Sequence, residues 1–308
     1  MEPPLLSVVI VAKNEWRHLA NSIPVVLAQE AVGPYEVIVI DSGSSDGSVE
    51  FLEAAAIRDP RLRIHRIAPA EFHHARTRNL GTRLAKGRFI AFLGGDAIPL
   101  GQRWLATLSE PVRTGKAAAS YGRQLPRPDA NEGNACRMLY NYQPNSLLKR
   151  ADTPLPPKEL YFFSSVSCCI DRTLAPELLF DETYPVNEDT TLSATLIRNG
   201  HAIAYVAEAE VEHSHDYSYV EILQRYFDNA VVSTRLGVFR QEDAGRLRGE
   251  GLAYIRSSLR WLKGRGIGAH VRFATFFAVS ALGVQLGLLH DRLPRAISRA
   301  LSKYGTTE

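Results

Sequence analysis

Two kinds of segment alternate along the first hundred residues. Residues 6–11 (L-S-V-V-I-V) and 36–40 (E-V-I-V-I) are β-branched runs that each stop at polar, loop-forming residues, and 62–67 and 88–93 have the same character. Between and after them, 15–30, 48–56 and 75–85 read as helices. Strands and helices alternating at such short intervals predict parallel βαβ units, hence an α/β sheet with helices on both faces. Ligands of such sheets sit beyond the carboxyl ends of the strands. The polar residues gather at those ends: Lys13-Asn14-Glu15 after the first strand, Asp41 to Gly47 after the second, and Asp96 after the fourth.

From residue 249 onward the pattern changes. Leu252, Ile255, Leu259 and Leu262 fall on one helical face, with Arg256, Arg260 and Lys263 on another. Residues 273–289 carry no charge, in a run shorter than the about 20 residues of a membrane span. Arg292, Arg295, Arg299 and Lys303 follow on a last amphipathic stretch. From Arg246 to Lys303 eleven Lys or Arg residues face only Glu250 and Asp291, a local net charge of +9 in a chain of net charge +3. The rest of the chain is therefore acidic, by about −6. Two regions are expected: a sheet domain over 1–240, and a basic helical region over 241–308 that contacts an anionic inner leaflet peripherally. The acidic body gives no reason to expect nucleic acid as a partner. Cys136, Cys168 and Cys169 make no disulfide framework, and the N-terminus has no basic leader before its first strand, so the expected location is cytoplasmic, on the membrane's inner face.

Three stretches carry candidate chemistry. In D-S-G-S-S-D-G-S (41–48) the second carboxylate exceeds what one helix cap needs, and carboxylates at the ligand edge suit a pyrimidine N–H or ribose hydroxyls. In E-F-H-H-A-R-T-R-N-L-G (71–81) Arg76 and Arg78 open a helix, where the macrodipole favours acids; phosphate oxygens would account for cations there. F-I-A-F-L-G-G-D-A-I-P (89–99) delivers one carboxylate, Asp96, past two glycines that would let a bulky anion approach the backbone. That carboxylate is a hard oxygen ligand for Mg²⁺ or Mn²⁺, which would bridge a diphosphate.

Together with V-V-I-V-A-K-N-E (8–15), N-E-D (187–189) and R-N-G (198–200), these motifs resemble the inverting GT-A nucleotide-sugar glycosyltransferases of family 2 over about residues 5–235. Phe72, His74, Thr77, Arg78 and Asn79, with Leu93, Asp96, Ala97, Pro99 and the H-S-H-D-Y-S run at 213–218, look most like bacterial rhamnosyltransferases using dTDP-L-rhamnose. Gly94 stands where most of the family has a first aspartate, and Ala75 where the rhamnosyl group commonly has glycine. The resemblance implies a GT-A fold and transfer of a sugar, L-rhamnose favoured, to a glycan or lipid-linked glycan in cell-surface polysaccharide synthesis. It implies nucleotide-sugar contacts from Ala12, Asn14, Glu15, Asp41, Ser42, Asp46, His74, Arg78, Gly95 and Asp96. It further implies a metal held by Asp96 and His213, with His215 as the alternative histidine. Asp189 is the implied catalytic base, with Glu188 positioning the acceptor. Another UDP- or dTDP-sugar donor is the alternative, as is a non-catalytic nucleotide-sugar-binding subunit of an assembly complex.

Overall fold

The computed structural model describes residues 3–174, 179–215, 217–238 and 244–307. Strands β1 (Leu6–Ala12), β2 (Tyr35–Asp41), β3 (Leu62–Arg66) and β4 (Phe89–Gly94) pair in parallel in the order β3-β2-β1-β4, as the pattern predicts. The crossovers are helices α1 (Trp16–Leu27), α2 (Ser48–Arg58) and α3 (His74–Leu84). Val8, Ile10, Val37 and Val39 pack with Leu19, Ile23 and Leu52 on one face of the sheet. Val9, Ile38 and Ile40 pack with Ala75 on the other. Burial on both faces is why these runs are apolar throughout rather than alternating.

The second half is woven differently. Its elements are β5 (Ile98–Pro99), α4 (Trp104–Arg113), β6 (Ala119–Leu125), α5 (Glu132–Asn141), β7 (Leu147–Lys149), α6 (Pro157–Leu160), β8 (Ser167–Asp171), α7 (Glu188–Arg198) and β9 (Ile203–Glu212). Strand β8 enters antiparallel between β4 and β6, and the sheet continues to β9 and β5, with β7 added on β9. Strands β6 and β9 run parallel, but Gly122 pairs with Val206 while Arg123 pairs with Glu210, so β9 bulges between them. A Cβ at Gly122 would stand 2.3 Å from the Ala209 carbonyl oxygen, so only glycine admits the bulge. The bulge brings the residues after β9 alongside the end of β6.

Helices α8 (Tyr219–Arg235), α9 (Ala244–Leu262), α10 (Gly266–Leu288) and α11 (Arg295–Leu301) complete the chain. The boundary expected near residue 240 lies outside the described residues. Helix α10 lies on α8 and α5. Its Gly283 and Gly287 meet α8 so closely that a Cβ there would be 2.6 Å from the Leu223 and 2.5 Å from the Phe227 carbonyl oxygen. The opposite side of α10 exposes an apolar stripe, Ile267, Val271, Ala274, Ala278 and Leu282. By length and composition Gly266–Leu288 is the one helix among the described residues that is able to cross a membrane. In α9 the apolar face read from the sequence is split: Leu252 and Leu259 are exposed, while Leu262 is buried and Tyr254 and Ser258 turn inward with it.

Candidate active site

The strand ends converge as expected, and the loop after β2 is tied to the loop after β1. Asp41, fully buried, accepts the backbone N–H of Gly43 and Ser44, each at 3.0 Å. Asn14, held at φ 56°, donates its N–H to Ser44 Oγ at 2.8 Å and accepts from Ser45 N at 2.8 Å. Ser42 donates through N and Oγ to the Ala12 carbonyl, at 3.0 and 3.1 Å. Asp46 accepts from Trp16 N at 2.9 Å and from Ser48 Oγ at 2.6 Å, so its carboxylate fastens the start of α1 to the start of α2. Its bonds to these donors outweigh its slight burial and hold it below the usual carboxylate range. Glu15 bonds His18 Nδ1 at 2.6 Å; burial, with the charge of Asp96, raises its carboxyl despite that bond. What Gly95 accommodates is the end of β1: a Cβ there would lie 2.8 Å from the Ala12 Cβ. A Cβ on Gly94 would press on Asp96 Oδ1 at 2.9 Å, so a side chain at 94 would crowd the carboxylate that follows it.

Asp96 meets the bulged end of β9. Its Oδ2 is 3.3 Å from His213 Nε2 and 3.1 Å from His215 Nδ1, and one ligand atom from each of the three lies within 4.8 Å of the others. His213 Nδ1 is 2.9 Å from Gln124 Oε1, and Gln124 Nε2 donates to Ser164 Oγ at 2.7 Å. This network assigns the proton of His213 to Nδ1 and the lone pair to Nε2. Nε2 is buried and makes no hydrogen bond, yet it faces a carboxylate. Two electron-rich atoms facing one another in the interior are reconciled by a cation, so the donor set fits a divalent metal. Burial alone would raise the Asp96 carboxyl, but His213, His215 and Arg127 outweigh it and hold it well below the usual range. Arg127 also clamps this corner, donating to the backbone carbonyls of Asp96 and, at 3.0 Å, Ser214. Both histidines named from the sequence are therefore at the site. Gln124 and Arg127, which sequence reasoning passed over, hold them; Asp216 is outside the described residues.

The second acidic centre opens α7. Arg78, expected to face phosphate, instead pairs with Glu188 at 3.0 Å, both side chains largely buried. Arg76 meets Glu182 on the surface at 3.3 Å. Ser165 donates its hydroxyl to Glu188 Oε1 at 3.1 Å and its N–H to Asp189 Oδ2 at 3.4 Å. Burial would raise Glu188, but Arg78 and His74 outweigh it and keep its carboxyl lowered. Asp189 goes the other way: burial, then the charge of Glu188, pushes it up to about 7. Burial pulls the imidazole of His74 down to about 4 although Glu188 opposes this. The pair is thus one anchored anion and one carboxyl poised to exchange a proton near neutrality.

Residues 7–174 match the family described as Glycosyl transferase family 2. The chain belongs to that family. This glycosyltransferase is 33% identical over 297 residues, 95% of its own chain and 91% of the relative, to the O-antigen chain rhamnosyltransferase RfbN of Salmonella typhimurium. To the O-antigen chain rhamnosyltransferase WbaN of Salmonella anatum it is 31% identical, over 94% of its chain and 89% of the relative. Its fold is that of mannosyltransferase PcManGT from Pyrobaculum calidifontis, solved with GDP-Man and Mn²⁺, at a TM-score of 0.62 and 14% identity, covering 94% of this chain and 88% of the other. A surface cavity between α4 and β7, lined by Glu30, Arg113 and Leu148 among others, contains none of the candidate residues.

Proposed function

We propose that this glycosyltransferase moves L-rhamnose from dTDP-L-rhamnose, with inversion, to a hydroxyl of a glycan, lipid-linked in the cell, in cell-surface polysaccharide synthesis. One observation carries the reaction: adjacent serines tie two unlike acidic centres together, Ser164 to the Gln124–His213–Asp96 corner and Ser165 to Glu188 and Asp189. The choice of sugar is supported by the near full-length likeness to two O-antigen rhamnosyltransferases.

In this reading Asp189 takes the proton of the acceptor hydroxyl. The acceptor oxygen bonds to the anomeric carbon from the face opposite the diphosphate, and the bond from that carbon to the diphosphate oxygen breaks. Glu188, kept charged by Arg78, keeps Asp189 from ionising too easily and positions the acceptor. The loops after β1 and β2 form the nucleoside end, with Asn14 at its surface, Asp41, Ser42 and Ala12 shaping it from behind, Asp46 as their brace, and Glu15 and Gly95 beside the metal corner. A cation bound by Asp96, His213 and His215 would neutralise the leaving diphosphate, and two imidazoles favour Mn²⁺ over Mg²⁺. The outward stripe of α10, with the exposed Arg256 and Arg260 of α9 and Lys263 after it, suits peripheral contact with an anionic cytoplasmic leaflet.

The test is turnover with dTDP-, UDP- and GDP-sugars, with and without Mn²⁺, on a bacterial glycolipid extract. Transfer from dTDP-L-rhamnose alone supports the reading. Transfer only from another donor overturns the choice of sugar, and tight binding without transfer from any donor favours the non-catalytic subunit. Sedimentation with anionic vesicles at low salt, reversed by high salt, is expected of the full chain; indifference to vesicles removes the membrane contact.

A further inference from the structure

Residues 302–306 do not trail away from the body. After α11 ends at Leu301, residues 302–306 wrap onto Asp228 of α8, a carboxylate with 0% exposure. Ser302 Oγ donates to it at 2.6 Å, Lys303 N at 2.8 Å, Tyr304 N at 3.2 Å, and Thr306 Oγ1 makes a further bond. A buried carboxylate is tolerated only when donors surround it, and among the described residues the donors to Asp228 come from this segment. Lys303 Nζ reaches Glu221 at 2.8 Å, and Arg235 donates to the Thr306 carbonyl at 2.7 Å, so the segment is latched along α8.

The latch presents Tyr304 to the site. Arg225 Nη1 donates to the Tyr304 hydroxyl at 2.8 Å, and the Tyr304 ring stands edge-on to His74 with centroids 6.1 Å apart. His74 is the residue on which the charge of Glu188 acts. The same Arg225 guanidinium lies 4.4 Å over the ring of Tyr217, whose centroid is 4.7 Å from that of His215. Two tyrosines bridged by one arginine thus run from the start of α3 to the metal corner. The row joins His74, whose imidazole feels the charge of Glu188, to His215 beside Asp96, and so borders both acidic centres. A flat apolar face with a fixed polar edge is what a sugar ring needs for orientation.

Resting on the transferase reading above, we infer that residues 302–306 are an active-site element and that Tyr304 forms a wall against the transferred sugar. The experiment uses the full chain with Mn²⁺ and compares calorimetric affinities for dTDP and dTDP-L-rhamnose. Tyr304→Ala keeps every group that binds Asp228, so the fold is not at stake. It is expected to bind dTDP as wild type does and to lose about tenfold in affinity for dTDP-L-rhamnose. Tyr304→Phe, which retains the ring, is expected to keep most of the sugar's contribution. A Tyr304→Ala protein that keeps the full difference between the two ligands overturns the inference alone, as does one that weakens both equally. A wild-type protein for which the sugar adds nothing to the nucleotide sinks the inference together with the donor reading.

Discussion

Asp96 and Asp189 are both half-buried carboxylates close to one edge of the same sheet, and they behave oppositely. Around Asp96 stand two imidazoles and a guanidinium, His213, His215 and Arg127, and the carboxyl is held well below the usual range although burial opposes this. Around Asp189 the nearest charge is another carboxylate, and burial and repulsion act together to push it up to about 7. Arg78, whose charge acts on both carboxyls, is bonded to Glu188 and not to Asp189. The type of side chain therefore assigns neither role. Which acid keeps its charge and which trades a proton is decided by where the imidazoles and the guanidinium are placed.

The largest expected effect breaks the comparison at its basic end. Asp189→Asn preserves shape and can still accept from Ser165 and Thr190, but it has no site for the acceptor's proton. Transfer should fall by about 10²- to 10⁴-fold, while calorimetric affinity for the nucleotide stays unchanged because Asp96 and the Asp41 loop are untouched. A near wild-type rate in this protein would reassign the base to Glu188.

At the other corner the expected effect is smaller. Gln124→Met removes the acceptor that fixes the His213 tautomer, so the lone pair is no longer held at Nε2. Loss of such an outer partner typically costs about 10- to 100-fold in metal affinity, readable by Mn²⁺ titration in electron paramagnetic resonance without any donor present. Gln124→Glu retains an acceptor and should bind Mn²⁺ nearly as wild type. If Met at 124 binds the ion unchanged, or if Glu is as weak as Met with both proteins melting normally, Gln124 does not serve the site.

The two corners also differ in how far the sequence disclosed them. The parallel strands β1 to β4 were legible because each is a continuous apolar run closed by loop formers, and Asp96 was legible because such a run ends in a lone carboxylate. The Glu188-Asp189 pair and His213 were reached only through resemblance, since a helix-opening acid or a loop histidine has an ordinary explanation. Arg78 was noticed for the right reason, a cation misplaced at a helix start, but its partner is a carboxylate 110 positions onward. Nothing local announces that pairing. Gln124 lies in a strand whose register is set by a bulge in β9, a long-range event with no signature beyond Gly122. The C-terminal latch escaped for a similar reason. Its basic, apolar setting reads as a surface segment, while Asp228, which explains it, sits in the middle of another helix.

The finest test of the comparison is a pH profile. A general base works in its deprotonated form, so kcat should rise with pH and level off above about 7, where Asp189 loses its proton. Part of that elevation comes from Glu188, whose negative charge opposes a second one beside it. Glu188→Gln removes the repulsion and leaves Arg78 without its partner, so the nearest charge then favours the Asp189 anion. The rising limb should move to lower pH, by on the order of one unit, even if the plateau rate drops. Stability should follow with the same sign. With its folded value raised above the ordinary 3.8, protonated Asp189 favours the fold. That contribution is complete below about 4 and is lost as pH climbs toward 7. In Glu188→Gln the window should narrow from its upper end. A rising limb that stays in place, or moves to higher pH, would mean that burial alone sets Asp189 and that Glu188 is only the acceptor's anchor.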